Sequence, residues 1–513
     1  MGCVCSRRAK SKPDHTASTK VHVGIVGAGI SGLRCAEVLL ENGFQVTILE
    51  ARDRIGGRIC QSHKLGYPVD LGPNWIHTAG GRQPMLDLAK KTNTTLHHWN
   101  DKQNIYDSSG KLLPEEKSDK LSTLLWEIIA EGFEYSLKQG KTIPETKSLY
   151  EFVKEKAKEH LTDEKDQELL IQMSHVWGCY IGEPVTRQSL RYAWLEECCG
   201  GEETFVEGNH RAILAEIARV PLEKAVLRLG ERVVDVHTTQ RAKRNSQVVL
   251  KTAKGESLSF DEVLMTTPLG FLKRNKEMFK PSLPPRLLAG IDAVSVGHLE
   301  KVFITFPKAF WLEPSTKSLD PNLLPEQRAI AEDTFAGNIH WLSPEYTQDT
   351  NPKLWPQECW NLAAFSPENR RPTILFYLYG EYGQYIVNLV HGKSEEEHYE
   401  LLNEFYKPYY SLLPHYSAEN PACKPKAFLS SEWQKDELSG YGSYCNFQVG
   451  ITDAVGDMEA MRHGVPERRL WFAGEHTAPF DECGTAAGAY LSGEGVANRI
   501  LETYGIKPVE ALQ

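Results

Sequence analysis

Val21-His22-Val23-Gly24-Ile25-Val26-Gly27-Ala28-Gly29-Ile30-Ser31-Gly32 is the stretch that decides the fold of this 513-residue chain. Val21, Val23, Ile25 and Val26 make a short β-branched run, as expected for a strand covered on both faces of a parallel sheet. After the glycine turn, Leu33, Ala36 and Leu40 recur at helical spacing. They predict a helix from about Ile30 to Asn42, with Gly43 as its C-terminal stop. Phe44 to Leu49 predicts the next strand. The three elements form a βαβ unit, and an α/β fold with a Rossmann-like domain follows.

Gly27, Gly29 and Gly32 match G-x-G-x-x-G. The first glycine permits the tight turn, the second lets a pyrophosphate approach the backbone, and the third lets helix and strand pack closely. The helix start at Ile30 and Ser31 then turns free N–H groups and a positive dipole end toward the phosphates. Glu50 ends the second strand, where a carboxylate accepts ribose hydroxyls and disfavours a 2′-phosphate; NADP is therefore the poorest candidate.

Glu50-Ala51-Arg52-Asp53-Arg54-Ile55-Gly56-Gly57-Arg58 follows directly. This run resembles E-A-x-x-R-x-G-G-R, the second signature of the flavin amine oxidases, a family that includes polyamine oxidases, monoamine oxidases and flavin histone demethylases. Four later segments resemble that family in the same order. They are Leu71-Gly72-Pro73-Asn74-Trp75-Ile76-His77; Arg232-Val233-Val234; Thr266-Thr267-Pro268-Leu269-Gly270 with Lys301-Val302-Phe303; and Phe472-Ala473-Gly474-Glu475-His476-Thr477 with the glycine-rich Gly484 to Gly493.

The resemblance implies FAD and assigns residues to it. Arg52, Gly57 and Arg58 belong to the phosphate region, and Asn74 and Trp75 run along the flavin. The backbone of Val234 pairs with adenine, and Trp433 is a flavin-side aromatic. Gly474 and Glu475 serve the ribityl and phosphate region, with the backbone at Thr485 and Ala486 at the pyrimidine end of the ring. It gives Lys301 the water bridge to the flavin's reactive nitrogen that assists reaction with oxygen. Tyr444 becomes an aromatic wall and His77 a residue of the substrate tunnel. No cysteine stands at the monoamine oxidase linkage point, with only Cys483 near, so noncovalent FAD is expected. Thr485 replaces a second wall tyrosine of monoamine oxidases, and Asn74-Trp75 stands where amino acid oxidases need an arginine. Both favour a long amine, a polyamine or acetylated polyamine, oxidised with O2 as acceptor. A monoamine oxidase, a same-fold isomerase or desaturase, and a non-catalytic relative remain alternatives.

The resemblance also divides the chain. Residues 21–95, 203–298 and 427–505 are expected to build the FAD-binding domain. Residues 96–202 and 299–426 are expected to build a discontinuous mixed-sheet and helical substrate domain, with 506–513 as a tail. The segment 311–372, rich in Pro, Asn and Trp, predicts a long elaborated loop. The acidic run at Glu202, Glu203 and Glu207 reads as an exposed loop.

Composition excludes other classes. A net charge of −10 without a basic block disfavours nucleic acid, and no run of 18 apolar residues predicts a membrane span. Eleven scattered cysteines favour a reducing compartment, and the N-terminus lacks a secretory core; the protein reads as cytoplasmic, not secreted. No metal is predicted, and no oligomeric state follows. Residues 1–20 form a basic arm in which Met1-Gly2-Cys3-Val4-Cys5-Ser6 fits an acylation pattern. Gly2 would be myristoylated and Cys3 and Cys5 palmitoylated, giving peripheral membrane attachment.

Overall fold

A computed structural model describes residues 20–78, 82–99, 102–199, 203–240, 247–312 and 337–507; the arm with Gly2, Cys3 and Cys5 lies outside them. The opening βαβ unit is a strand at His22–Val26, a helix at Ile30–Glu41 and a strand at Gln45–Leu49. These strands sit in a five-stranded parallel sheet, in the order Leu470–Phe472, Glu262–Met265, His22–Val26, Gln45–Leu49 and Val226–Arg228. Val23, Ile25, Val46 and Ile48 are buried. Burying each such side chain contributes about 1.5–3 kcal/mol, so the apolar run selects the sheet centre. The helix at Ile30 packs against those at Arg211–Lys224 and Ala486–Thr503.

The third glycine shows why this turn tolerates no side chain. A Cβ on Gly32 would stand 2.2 Å from the Gly27 carbonyl oxygen and 3.1 Å from Ile25 Cγ2. Gly27 itself has φ +110°, in the range that favours glycine.

The second sheet has six strands, in the order Ala427–Ser430, Leu299–Thr305, Thr373–Tyr379, Gln357–Asn361, Asn338–Trp341 and Gln103–Tyr106. All neighbours are antiparallel except the last pair, which is parallel. One face packs a core of Val302, Ile304, Phe376 and Trp341 with aromatic residues of the helix at Glu395–Tyr410. A helical layer at Glu115–Gln139, Leu149–His160 and Glu164–Met173 completes this half. The molecule is thus α/β, a parallel nucleotide-binding sheet joined to a mixed sheet with helices.

Two differences from the sequence expectation concern this sheet. The described part of 311–372 is not a loop, since it supplies the strands Asn338–Trp341 and Gln357–Asn361. Gln357, Glu358 and Asn361 are polar yet buried, so no apolar run marks the strand. The Ala427–Ser430 strand also pairs with Leu299–Thr305, drawing on residues beyond the expected 426.

Candidate active site

The parallel sheet reverses its winding between His22–Val26 and Glu262–Met265, which opens a crevice at the carboxyl ends of the strands. A cavity of about 310 Å³ runs from this crevice to the inner face of the six-stranded sheet. Gly27, Gly29, Ile30, Ser31, Glu50, Arg52, Gly57, Arg58, Asn74 and Trp75 border it, as do Trp433, Gly474, Glu475, Thr485 and Ala486. Lys301, Tyr444 and His77 border it as well. Gly32 does not, because it lies at the helix–strand contact.

At the crevice end, Glu50 is buried and its carboxylate accepts from the Ala28 and Arg52 amides, each at 2.8 Å. A Cβ on Gly29 would meet nothing within 4 Å, while one on Gly57 would approach Gly29 Cα at 3.5 Å. The two glycine turns therefore lie close together, and the open side of Gly29 borders the cavity at the N-terminus of a 12-residue helix. Arg52 is committed elsewhere. It pairs with Asp436 at 2.6 Å and Ser439 Oγ at 3.0 Å, clamping that loop over the crevice.

The valines expected to meet adenine through their backbone stand at the start of the strand Val233–His237. Val233 borders the cavity and is 5% exposed, whereas Val234 is 40% exposed and points to solvent. The strand Val233–His237 carries a bulge between Val233 and Asp235, so the residue turned inward is the earlier of the two valines.

In the middle of the cavity, Arg58 donates to Glu475 at 3.0 Å and to the Ser443 carbonyl. Burial opposes ionisation of Glu475, but the adjacent Arg58 guanidinium holds its carboxyl below the usual range. The Cys445 amide also donates to Glu475, at 3.2 Å. Thr485 caps the final helix by accepting from Gly488 N–H at 2.9 Å, a contact that contributes about 1 kcal/mol. The amides at Ala486 and Ala487 then stand at a positive helix end beside the cavity. Cys483 also borders the cavity, with its sulfur 3.2 Å from that of Cys445.

Lys301 lies on the inner face of the six-stranded sheet, 5% exposed. Its Nζ donates to the Gly72 carbonyl and stands 5.5 Å from the centre of the Tyr377 ring. Burial lowers its pKa to about 7, against the opposing pull of Asp70 and Glu300. The Trp75 indole donates to the Tyr377 hydroxyl at 3.1 Å, which in turn donates to Asn74 Oδ1 at 2.9 Å. Trp433 donates to the Leu71 carbonyl at 3.1 Å. Lys301, Tyr377 and Trp433 therefore converge on one segment, Leu71 to Trp75.

Beyond Lys301 the walls are aromatic and acidic. Trp177 and Tyr180 stack with centroids 5.2 Å apart, and Tyr444 donates its hydroxyl to the Tyr180 carbonyl. His77 lies opposite Glu203 on paired strands, Nδ1 to Oε1 at 3.5 Å, without a hydrogen bond at that nitrogen. Glu207 is no exposed loop acid. It is buried and accepts from Ser366 and from Asn369 at 3.0 Å. Glu196 and Glu358, which also border the cavity, are pushed up by burial to about 8 and about 7. Trp177, Cys179, Tyr180, Glu196, Glu358, Trp360 and Tyr377 carry no sequence motif. The one available signal was the polarity of Gln357-Glu358 inside a stretch otherwise rich in tryptophan.

A Rossmann-like crevice, two neighbouring glycine turns and a buried lysine at the far end define a dinucleotide-dependent oxidoreductase. The sequence profile of the family described as flavin containing amine oxidoreductase matches residues 30–501. The chain belongs to that family, and FAD is its cofactor.

The chain is 28% identical to a probable polyamine oxidase 4 of Arabidopsis thaliana over 306 residues, spanning 56% of this chain and 58% of that protein. It is 26% identical to polyamine oxidase 4 of Oryza sativa subsp. japonica over 501 residues, 94% of this chain and 90% of that protein. Among solved structures, cyclohexylamine oxidase from Brevibacterium oxydans superposes with a TM-score of 0.69 at 18% identity, over 95% of this chain and all of that one.

Proposed function

We propose that this protein oxidises a secondary or primary amine of the polyamine class, free or acetylated, at the carbon next to nitrogen. The observation that carries this is the composition of the cavity beyond Lys301. Trp177, Tyr180, Tyr444 and Trp360 supply aromatic walls and Glu203 and Glu358 supply carboxyl groups, while its arginines, Arg52, Arg58 and Arg232, stand at the cofactor end. Such walls attract an alkylammonium and exclude water, and they offer no cation for a substrate carboxylate. The polyamine oxidases among the relatives support the same class.

FAD, when bound, supplies the hydride acceptor and passes two electrons to O2, giving hydrogen peroxide. The chain's own groups do the rest. Gly29, Gly57 and the helix start at Ile30 would hold the pyrophosphate, and Glu50 the ribose. Arg58 and Glu475 would hold the middle of the cofactor. Tyr444 and Trp433 would supply aromatic walls that exclude water. Lys301, with a pKa near 7, holds its proton below that pH and is a base above it, so its Nζ can order a water and relay a proton. His77, held beside Glu203, lines the path by which the amine enters.

Peroxide release measured across spermine, N-acetylspermine and tyramine tests the reading. Higher kcat/KM for spermine or its acetylated form than for tyramine is the expected result. Peroxide from tyramine alone would overturn it, and a flavoprotein that converts apolar substrates without peroxide would be a same-fold isomerase or desaturase. We also propose acylation at Gly2, Cys3 and Cys5; Gly2→Ala should move the protein from the membrane to the soluble fraction of its own cells.

A further inference from the structure

The six-stranded sheet sets a row of polar side chains across its inner face. Lys301, Tyr377, Glu358 and His340 lie directly opposite one another on four adjacent strands. Residues opposed across antiparallel strands share a face, and neighbouring strands are about 4.8 Å apart, so Glu358 stands roughly 10 Å along the row from Lys301. Both border the cavity.

Glu358 is 4% exposed and only half satisfied. Its Oε1 accepts from the Asn338 amide at 3.0 Å and from the Trp360 indole at 2.9 Å. Its Oε2 makes no hydrogen bond, with only the weakly donating Cys179 thiol beside the carboxyl. Among the described residues no lysine or arginine pairs with it. His340, its neighbour in the row, is kept neutral near pH 7 because burial lowers its pKa to about 4. Glu203, paired with His77, adds negative charge from the neighbouring wall. A buried carboxyl held on one side by neutral donors is costly to ionise unless a cation meets the other side. Glu358 itself borders the space a substrate enters.

We propose that Glu358 receives the second ammonium group of a di- or polyamine whose reacting carbon lies at the Lys301 end, and so selects such substrates over monoamines. This rests on the polyamine reading above and names the residue behind it. A diamine gains a charge-assisted hydrogen bond that Oε2 otherwise lacks, and a monoamine leaves the carboxyl unpaired. Lys301 and Glu358 divide the work. The lysine stands at the reacting carbon, and the acid sets how far from that carbon the next nitrogen must sit.

The test compares kcat/KM for spermine and for a linear secondary monoamine of matching length, using the FAD-loaded wild type, Glu358→Gln and Glu358→Leu. Flavin content serves as the check on folding. Both substitutions should lower the spermine-to-monoamine ratio by about tenfold to a hundredfold, mainly through a higher KM for spermine. Glu358→Asp, which keeps the charge but withdraws it, should lower the ratio less and stands in if the other variants lose FAD. An unchanged ratio in an enzyme that prefers spermine overturns the role of Glu358 alone. A wild type with no preference for spermine overturns the polyamine reading together with it.

Discussion

The sheet that begins at His22 and the sheet that carries Lys301 meet at one cavity but contribute to it in opposite ways. The parallel sheet offers mostly backbone, in glycine turns and two helix N-termini, with Glu50 and Glu475 as its acids. The six-stranded sheet offers side chains, with Lys301, Tyr377 and Glu358 standing in register on strands separated by tens of residues. Backbone recognition suits a cofactor shared by many chemistries, since phosphates need only N–H groups and room. Side-chain recognition suits a substrate, because single substitutions on a rigid strand change what is held.

If that division holds, damage on the two sides should separate. Lys301→Met should retain FAD yet slow reoxidation of the reduced enzyme by about 10²–10⁴-fold, read by stopped flow under O2. Retained fast reoxidation would break the assignment. Gly29→Val should do the reverse. It fills room that no protein atom occupies, so the fold should survive while FAD affinity falls by about a hundredfold, measured by titration of the apoprotein. Gly32→Val, which collides with the Gly27 carbonyl, should instead lower the amount of folded protein.

A pH profile sharpens the comparison further. Lys301 has its pKa lowered to about 7 by burial, so its neutral form gains as pH rises through that value. The kcat/KM profile for O2 should therefore rise across pH 7, and Lys301→Met should remove that limb while the profile for the amine keeps its own limb near 10. Persistence of the pH 7 limb in the variant would assign it to another group. The smallest effect should come from Thr485→Ala. Loss of the cap on the final helix should cost about 1 kcal/mol in denaturant titration, with FAD still bound.

The two halves also differed in how far they could be read from sequence. Gly27, Gly29, Gly32 and Glu50 were legible because a βαβ unit is local, and the turn constrains residue type at fixed offsets. The helix at Ile30–Glu41 ended within a residue of its reading. Lys301, Trp433, Tyr444 and Thr485 were reached by family resemblance, and the cavity gathers them. At Val233 and Val234 a bulge interrupts the side-chain alternation, so sequence pattern alone does not say which valine turns inward. Glu358 and Trp360 went unread. Their strand has buried polar residues, and its reason for being a strand lies in neighbours at Thr373–Tyr379 and Asn338–Trp341.

Sequence by itself determined the nucleotide-binding turn, because bond geometry and the size of glycine act over a few residues. Which side chains face the amine was decided only by tertiary structure. Strand register across the six-stranded sheet sets Lys301 and Glu358 on one face, and no local pattern in either strand encodes that pairing.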